Sequence, residues 1–105
     1  MQLLPSVVEL SYPDGGKYIG EVGSGASYVR SGKGVFFYPE NDVYLGDWRD
    51  DTFDGKGAYL FGTGERYEGD LKGGAKHGQG NYYYRSGQYY SGSWMRDLKD
   101  GFGVL

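Results

Sequence analysis

The chain has 105 residues, no cysteine, 21 glycines, 12 tyrosines and a net charge of −3. It therefore makes one small domain or one repeat array, with neither disulfide nor thiolate-metal staple, and must be held together by packing alone. No apolar run approaches the roughly 18 to 20 residues that span a bilayer, residues 1–9 are too short and too interrupted for a secretory signal, and no basic patch points to nucleic acid.

Residues 7–12 fit the second strand of an incomplete leading repeat, and a turn at Pro13-Asp14-Gly15-Gly16 follows. Tyr18-Ile19-Gly20-Glu21-Val22 opens the first full repeat, and a three-residue insertion lies within residues 23–31. From there two motifs run in phase. Gly-x-Gly recurs every 23 residues, at Gly32/Gly34, Gly55/Gly57, Gly78/Gly80 and Gly101/Gly103. Tyr-x-Gly keeps the same period at Tyr44/Gly46, Tyr67/Gly69 and Tyr90/Gly92, each 11 residues before its Gly-x-Gly. A period of this size marks a repeat architecture.

Between the motifs, one column reads Gly15, Asn41, Gly64, Gly87 and another Asp51, Gly74, Asp97. The first holds residue types that tolerate positive φ at low cost; both suit tight reversals. Each repeat is thus predicted to be a β-hairpin feeding the next. No apolar stripe of 3.6-residue period supports a helix. Alternation places Tyr44, Gly46 and Trp48 on one face of a first strand and Gly55, Gly57, Tyr59 and Phe61 on one face of a second. Rings are expected to lie over bare glycine backbone, where a Cβ would collide with them. The opposite face, with Val35, Phe37, Ala58, Leu60, Tyr83, Phe102 and Val104 beside Glu21, Asp47 and Asp70, reads as mixed and partly wettable. The expected fold is all-β: an elongated single-layer antiparallel sheet of tandem 23-residue hairpins. Residues 1–105 form one array, with a partial leading repeat at 1–17, repeats near 18–43, 44–66 and 67–89, and a truncated one at 90–105.

The unit Tyr-x-Gly-x-Trp, a short loop, Gly-x-Gly, then Tyr-Pro-x-Gly resembles the MORN (membrane occupation and recognition nexus) repeat from Tyr12 onward. Departures stand at Val22 and Leu71 in place of Trp, Asp51 and Asp97 in place of the loop Gly, and Phe61-Gly62-Thr63-Gly64 at one turn; the family's His survives only as His77. The resemblance implies a twisted rod of hairpins that serves as a protein-interaction or dimerisation scaffold in cytoskeletal, ciliary and membrane-junction proteins. It also implies a less secure phospholipid-binding role.

The candidate partner-binding site is an aromatic groove of Tyr18, Phe36, Tyr44, Trp48, Tyr59, Tyr67, Tyr82, Tyr90 and Trp94, whose rigid amphipathic rings suit a helix or extended segment. Its structural glycines are Gly32, Gly34, Gly46, Gly55, Gly57, Gly69, Gly78, Gly80, Gly92, Gly101 and Gly103. A second candidate is the C-terminal edge, where Leu105 ends the last strand short and leaves a template for strand addition or homodimerisation. His77 with Lys72 and Lys76 lacks any phosphate-loop pattern. The acids Asp50, Asp51 and Asp54 lack calcium-loop order, and no serine or cysteine stands as an activated nucleophile. No enzymatic activity, metal or cofactor is expected. The expected function is a non-catalytic scaffold for a protein partner in a cytoskeletal or ciliary (axonemal) assembly, cytoplasmic in location. The alternatives are a peripheral phospholipid-binding module and a regulatory fragment of a lipid kinase or methyltransferase; nucleic acid is not an expected partner.

Overall fold

In the computed structural model, residues 7–25 and 28–104 are described, with side chains through Lys99. Nine strands follow in chain order: β1 Val7–Ser11, β2 Lys17–Val22, β3 Arg30–Phe37, β4 Val43–Arg49, β5 Thr52–Leu60, β6 Arg66–Lys72, β7 Ala75–Tyr83, β8 Tyr89–Met95 and β9 Leu98–Val104. They form one antiparallel sheet whose spatial order is the sequence order. No helix among the described residues is long and apolar enough to cross a membrane. The radius of gyration is 15.0 Å, against about 13 Å for a compact chain of this length, so the sheet is an elongated body. The expected stop at Leu105 lies outside the described residues.

Two kinds of reversal join the strands. At one end of the sheet Gly15, Asn41, Gly64 and Gly87 all have positive φ, between 71° and 100°, as their residue types foretold. At the other end Asp50-Asp51, Gly73-Gly74 and Arg96-Asp97 have positive φ at both positions, which defines two-residue type I′ turns whose twist suits a hairpin. The corresponding connection after β2 is longer, and its ends are tied by Gly23 N–H to the Val29 carbonyl at 2.9 Å. That places the expected insertion.

Register across the sheet follows the glycine ruler. Gly20 faces Gly34, Gly34 faces Gly46, Gly46 faces Gly57, Gly57 faces Gly69, and Gly69 faces Gly80. The pairing then slips: Trp48 faces Phe53 and Leu71 faces Lys76, so residues 54–56 oppose Asp47 and residues 77–79 oppose Asp70. These β-bulges recur once per repeat.

The bulges correct two expectations. Glycine serves three purposes rather than one. A Cβ on Gly34, Gly57 or Gly80 would overlap the ring end of Tyr18, Tyr44 or Tyr67, as expected, whereas a Cβ on Gly20, Gly46 or Gly69 would strike the Cα of the glycine opposite. Gly32, Gly55 and Gly78 lie at the bulges with positive φ and face the carboxylates of Glu21, Asp47 and Asp70 rather than a ring. Nor are those acids simply wetted residues of the opposite face. Asp47 accepts the Lys56 N–H at 2.9 Å and Asp70 the Gln79 N–H at 2.9 Å, while Glu21 accepts the Lys33 N–H at 2.5 Å. Each carboxylate satisfies a backbone donor that the bulge removes from the ladder. The ammonium groups of Lys33 and Lys56 pair with Asp47 and Asp70.

Candidate functional site

The floor of the groove is the protein's core. Tyr18, Phe36, Tyr44, Trp48, Tyr67, Leu71, Tyr90 and Trp94 are buried, all on one face of the sheet. Each motif tyrosine reaches over its glycine and donates its hydroxyl to a carbonyl three residues on: Tyr18 to Glu21 at 2.6 Å, Tyr44 to Asp47 at 2.9 Å, Tyr67 to Asp70 at 2.7 Å and Tyr90 to Ser93 at 3.0 Å. Each indole stands edge-on between two such rings. Trp48 lies 5.3 Å from Tyr18 and 5.2 Å from Tyr44, and Trp94 lies 5.5 Å from Tyr67 and 5.1 Å from Tyr90, at 83° to 89°, the arrangement ring quadrupoles favour. Their indole N–H groups bond the carbonyls of Gly34 at 3.1 Å and Gly80 at 3.0 Å.

Seven of the nine residues expected to line a partner-binding groove are therefore beneath its surface; Tyr59 and Tyr82 are half-exposed. What the groove presents is a ladder running across the strands, Tyr12, Phe36, Tyr38, Tyr59, Phe61, Tyr82 and Tyr84, with successive centroids 4.5 to 5.9 Å apart. Apart from Phe36, all of these are half-exposed. Acidic residues fix two of the rungs from the preceding repeat. Tyr59 donates to Asp42 at 2.9 Å and Tyr82 to Glu65 at 2.8 Å, and the same carboxylates accept the N–H of Gly62 and Arg85. Burial, with the acid beside it, pushes the Tyr82 hydroxyl up to about 12, and Tyr59 is raised by the same causes. The Arg85 N–H and the Tyr82 hydroxyl hold Glu65 below the usual range.

Cations complete the groove. The Arg30 guanidinium lies 4.8 Å from the Trp48 ring centroid, the Lys76 ammonium 5.3 Å from that of Trp94, and the Lys99 ammonium 5.0 Å from that of Tyr90. Arg30 and Lys76 are in turn bound to the next type I′ turn, at Asp51 (3.0 Å) and Asp97 (3.2 Å). Of the cations and acidic clamps only Lys76 enters the sequence reading, and there in a phosphate-loop grouping; Arg30, Lys99, Asp42 and Glu65 are not among its site residues. Their signal is present in the sequence: Arg30, Phe53, Lys76 and Lys99 stand two residues before each Gly-x-Gly, and Asp42 and Glu65 two residues before a Tyr-x-Gly.

The two groupings that the sequence offers and its patterns argue against are dispersed only in part. Lys76 turns into the groove, whereas Lys72 and His77 lie together with Arg49, Asp54, Lys56 and Asp70 around a shallow surface depression. Of the acidic trio, Asp50 and Asp51 form a turn, and Asp54 accepts the Gly73 N–H at 3.3 Å. Among the described residues no three His, Cys, Asp or Glu side chains are placed to hold a metal ion.

Comparison with curated proteins gives no significant match. The family model of the MORN repeat matches residues 28–43, 44–66, 67–89 and 90–105, and the paired strands β1 and β2 extend the same sheet toward the N-terminus. MORN repeats are in general protein- or lipid-binding modules. Four consecutive repeats, in register with the hairpins, assign this chain to the MORN repeat family.

Proposed function

We propose that the chain is a non-catalytic scaffold whose aromatic groove holds a helical or extended segment of a protein partner. The observation that supports this reading is the continuous ladder of seven tyrosine and phenylalanine rings, six of them half-exposed outside the buried core. Rings fixed by neighbouring rings and by acidic clamps lose little rotamer freedom on binding, and such aromatic strips dominate interface energetics. The setting we propose, a cytoskeletal or ciliary assembly, rests on the family resemblance. A lipid surface is the weaker reading, because anionic membranes recruit clusters of about four to eight basic residues, and here Arg30 and Lys76 are paired with acids.

The test is affinity purification with mass spectrometry, followed by titration of the retained protein, using the intact chain against Tyr38→Asp with Tyr84→Asp. Both positions are half-exposed, so circular dichroism should be unchanged while affinity falls at least about tenfold. Equal retention by the variant would sink the groove reading. Co-sedimentation of the intact chain with phosphoinositide vesicles at moderate salt would favour the lipid alternative.

A further inference from the structure

The face of the sheet opposite the groove holds the more exposed apolar surface. Ile19, Phe37, Leu45, Leu60 and Tyr89 are 37% to 46% exposed there, so they stand further into solvent than any ring of the aromatic ladder. Cross-strand register orders this face into two adjacent rows. One runs Lys17, Phe37, Val43, Leu60, Arg66 from β2 to β6, and the other Glu9, Ile19, Val35, Leu45, Ala58, Glu68 from β1 to β6. Each row is apolar in its middle and charged at both ends, but the first ends in cations and the second in carboxylates. The ends are joined between rows, Lys17 to Glu9 at 3.0 Å and Arg66 to Glu68 at 2.9 Å. An apolar centre inside a polar rim is the anatomy of a protein interface.

The pattern is self-complementary. A two-fold axis lying between the rows and across the strands sets the first row of one copy on the second row of another. Phe37 then meets Val35 and Leu60 meets Ala58, a bulky side chain on a small one each time, while Arg66 meets Glu68 and Lys17 comes beside Glu9. An axis along the strands would instead bring Glu9 onto Glu68, so charge selects the first arrangement. Two twisted sheets stack face to face with their strands within about 30° of one another. The two longest extents of the chain are 45 and 29 Å, and a face of that size offers on the order of 1,000 Å² per copy, above the roughly 800 Å² that each partner buries in a standard interface.

We propose that this face is the interface of a homodimer, in which two copies stack back to back about a two-fold axis across the strands and carry their aromatic grooves on opposite outer sides. The interface differs from the strand-edge pairing expected of the C-terminal end, which would use backbone groups and leave this face uncovered. It is also independent of the groove reading. If both hold, the dimer presents two grooves and is a bivalent scaffold.

The test is sedimentation equilibrium of the full chain over a concentration series. A dimer mass is expected, with a midpoint at roughly micromolar concentration. Leu45→Lys puts a cation at the centre of the face and should weaken the dimer at least about tenfold, with circular dichroism unchanged because the side chain is exposed. Arg66→Glu, which sets one carboxylate against another across the axis, should weaken it too, and adding Glu68→Arg should restore it. Should Leu45→Lys fail to fold, isotope-filtered NOEs between labelled and unlabelled intact copies carry the test, and they are expected from Phe37 to Val35 and from Leu60 to Ala58. A monomer at about a hundredfold above that midpoint, an undiminished dimer in the folded variant, or contacts between copies confined to a sheet edge would overturn the proposal. The measurement needs no other protein, so its failure is distinguishable from failure of the groove reading.

Discussion

At the scale of single residues, the tyrosine and the glycine of each motif work as a pair across strands. Tyr44 can bond the Asp47 carbonyl only because Gly57 leaves room for its hydroxyl end. Overpacking such a site costs about 1–3 kcal/mol and occasionally more, and a Cβ on Gly57 would overlap the Tyr44 hydroxyl and come within 2.6 Å of its ring. Gly64 is a different case: no atom lies within 4 Å of its Cβ position, and only its φ of 100° resists a side chain. Chemical denaturation should therefore rank Gly57→Ala at roughly 3 kcal/mol destabilised and Gly64→Ala at about 1 kcal/mol. Equal losses would mean that ring slots do not set the packing. The slot at Gly57 was legible in the sequence because a ring and a missing Cβ that recur together at one spacing fit each other across neighbouring strands. The second purpose, at Gly46, was not, since alternation alone does not distinguish a glycine beneath a ring from one against another backbone.

At the scale of the element, the hairpin is pinned by its bulge acids, and these make stability depend on pH. Burial of Asp47 favours its protonated form, but the Lys33 ammonium and the Lys56 N–H outweigh it and hold the carboxyl below 3.8. The Asp70 carboxyl is lowered by Lys56 and the Gln79 N–H, and Asp51 by the Arg30 contacts, which overcome its burial. A depressed carboxyl stabilises the fold above its unfolded value and loses that contribution as pH falls through its folded value. The acid limb should accordingly begin near pH 3.8 and continue below it. Tyrosines act in the opposite sense. Burial raises Tyr18 and Tyr67 from 10.0 to about 12, and Tyr44 further, so the contribution of all three is complete below pH 10, that of Tyr18 and Tyr67 is lost as pH rises through about 12, and that of Tyr44 persists higher. Melting temperature against pH, followed by circular dichroism, should show a plateau between these limbs; constant stability from pH 10 to 12 would contradict the burial of the rings. The turn columns were readable at this scale because few residue types accept positive φ. The bulges were not: their acids occupy positions that strict alternation assigns to a wetted face, and only the slip between Gly46 and Trp48 turns Asp47 onto a backbone donor.

At the scale of the whole molecule, every strand pairs only with its neighbours in sequence, so stability should be a sum of local terms and nearest-neighbour interfaces. Hydrogen exchange of Gly80→Val should rise most in β6 to β8 and least in β2 and β3; uniform loss of protection would show that the sheet opens as one unit. The type I′ turns make one side of the sheet less free than the other. Asp51 N–H bonds the Arg30 carbonyl, Gly74 N–H that of Phe53, and Asp97 N–H that of Lys76, all at 3.0 Å. Each turn thus sits on the strand 21 residues before it, like a tread resting on the one below. A change of loop length there would break backbone bonds in two hairpins, whereas the loops at Asn41, Gly64 and Gly87 are closed by backbone bonds within themselves and joined across repeats through the side chains of Asp42 and Glu65. The fold therefore tolerates insertion better on the flank joined by side chains than on the flank joined by backbone. A peptide tag or fluorescent label placed at Gly87, where nothing lies within 4 Å of a Cβ, should leave the stack of turns intact, which makes that flank the side from which the array can be marked or tethered.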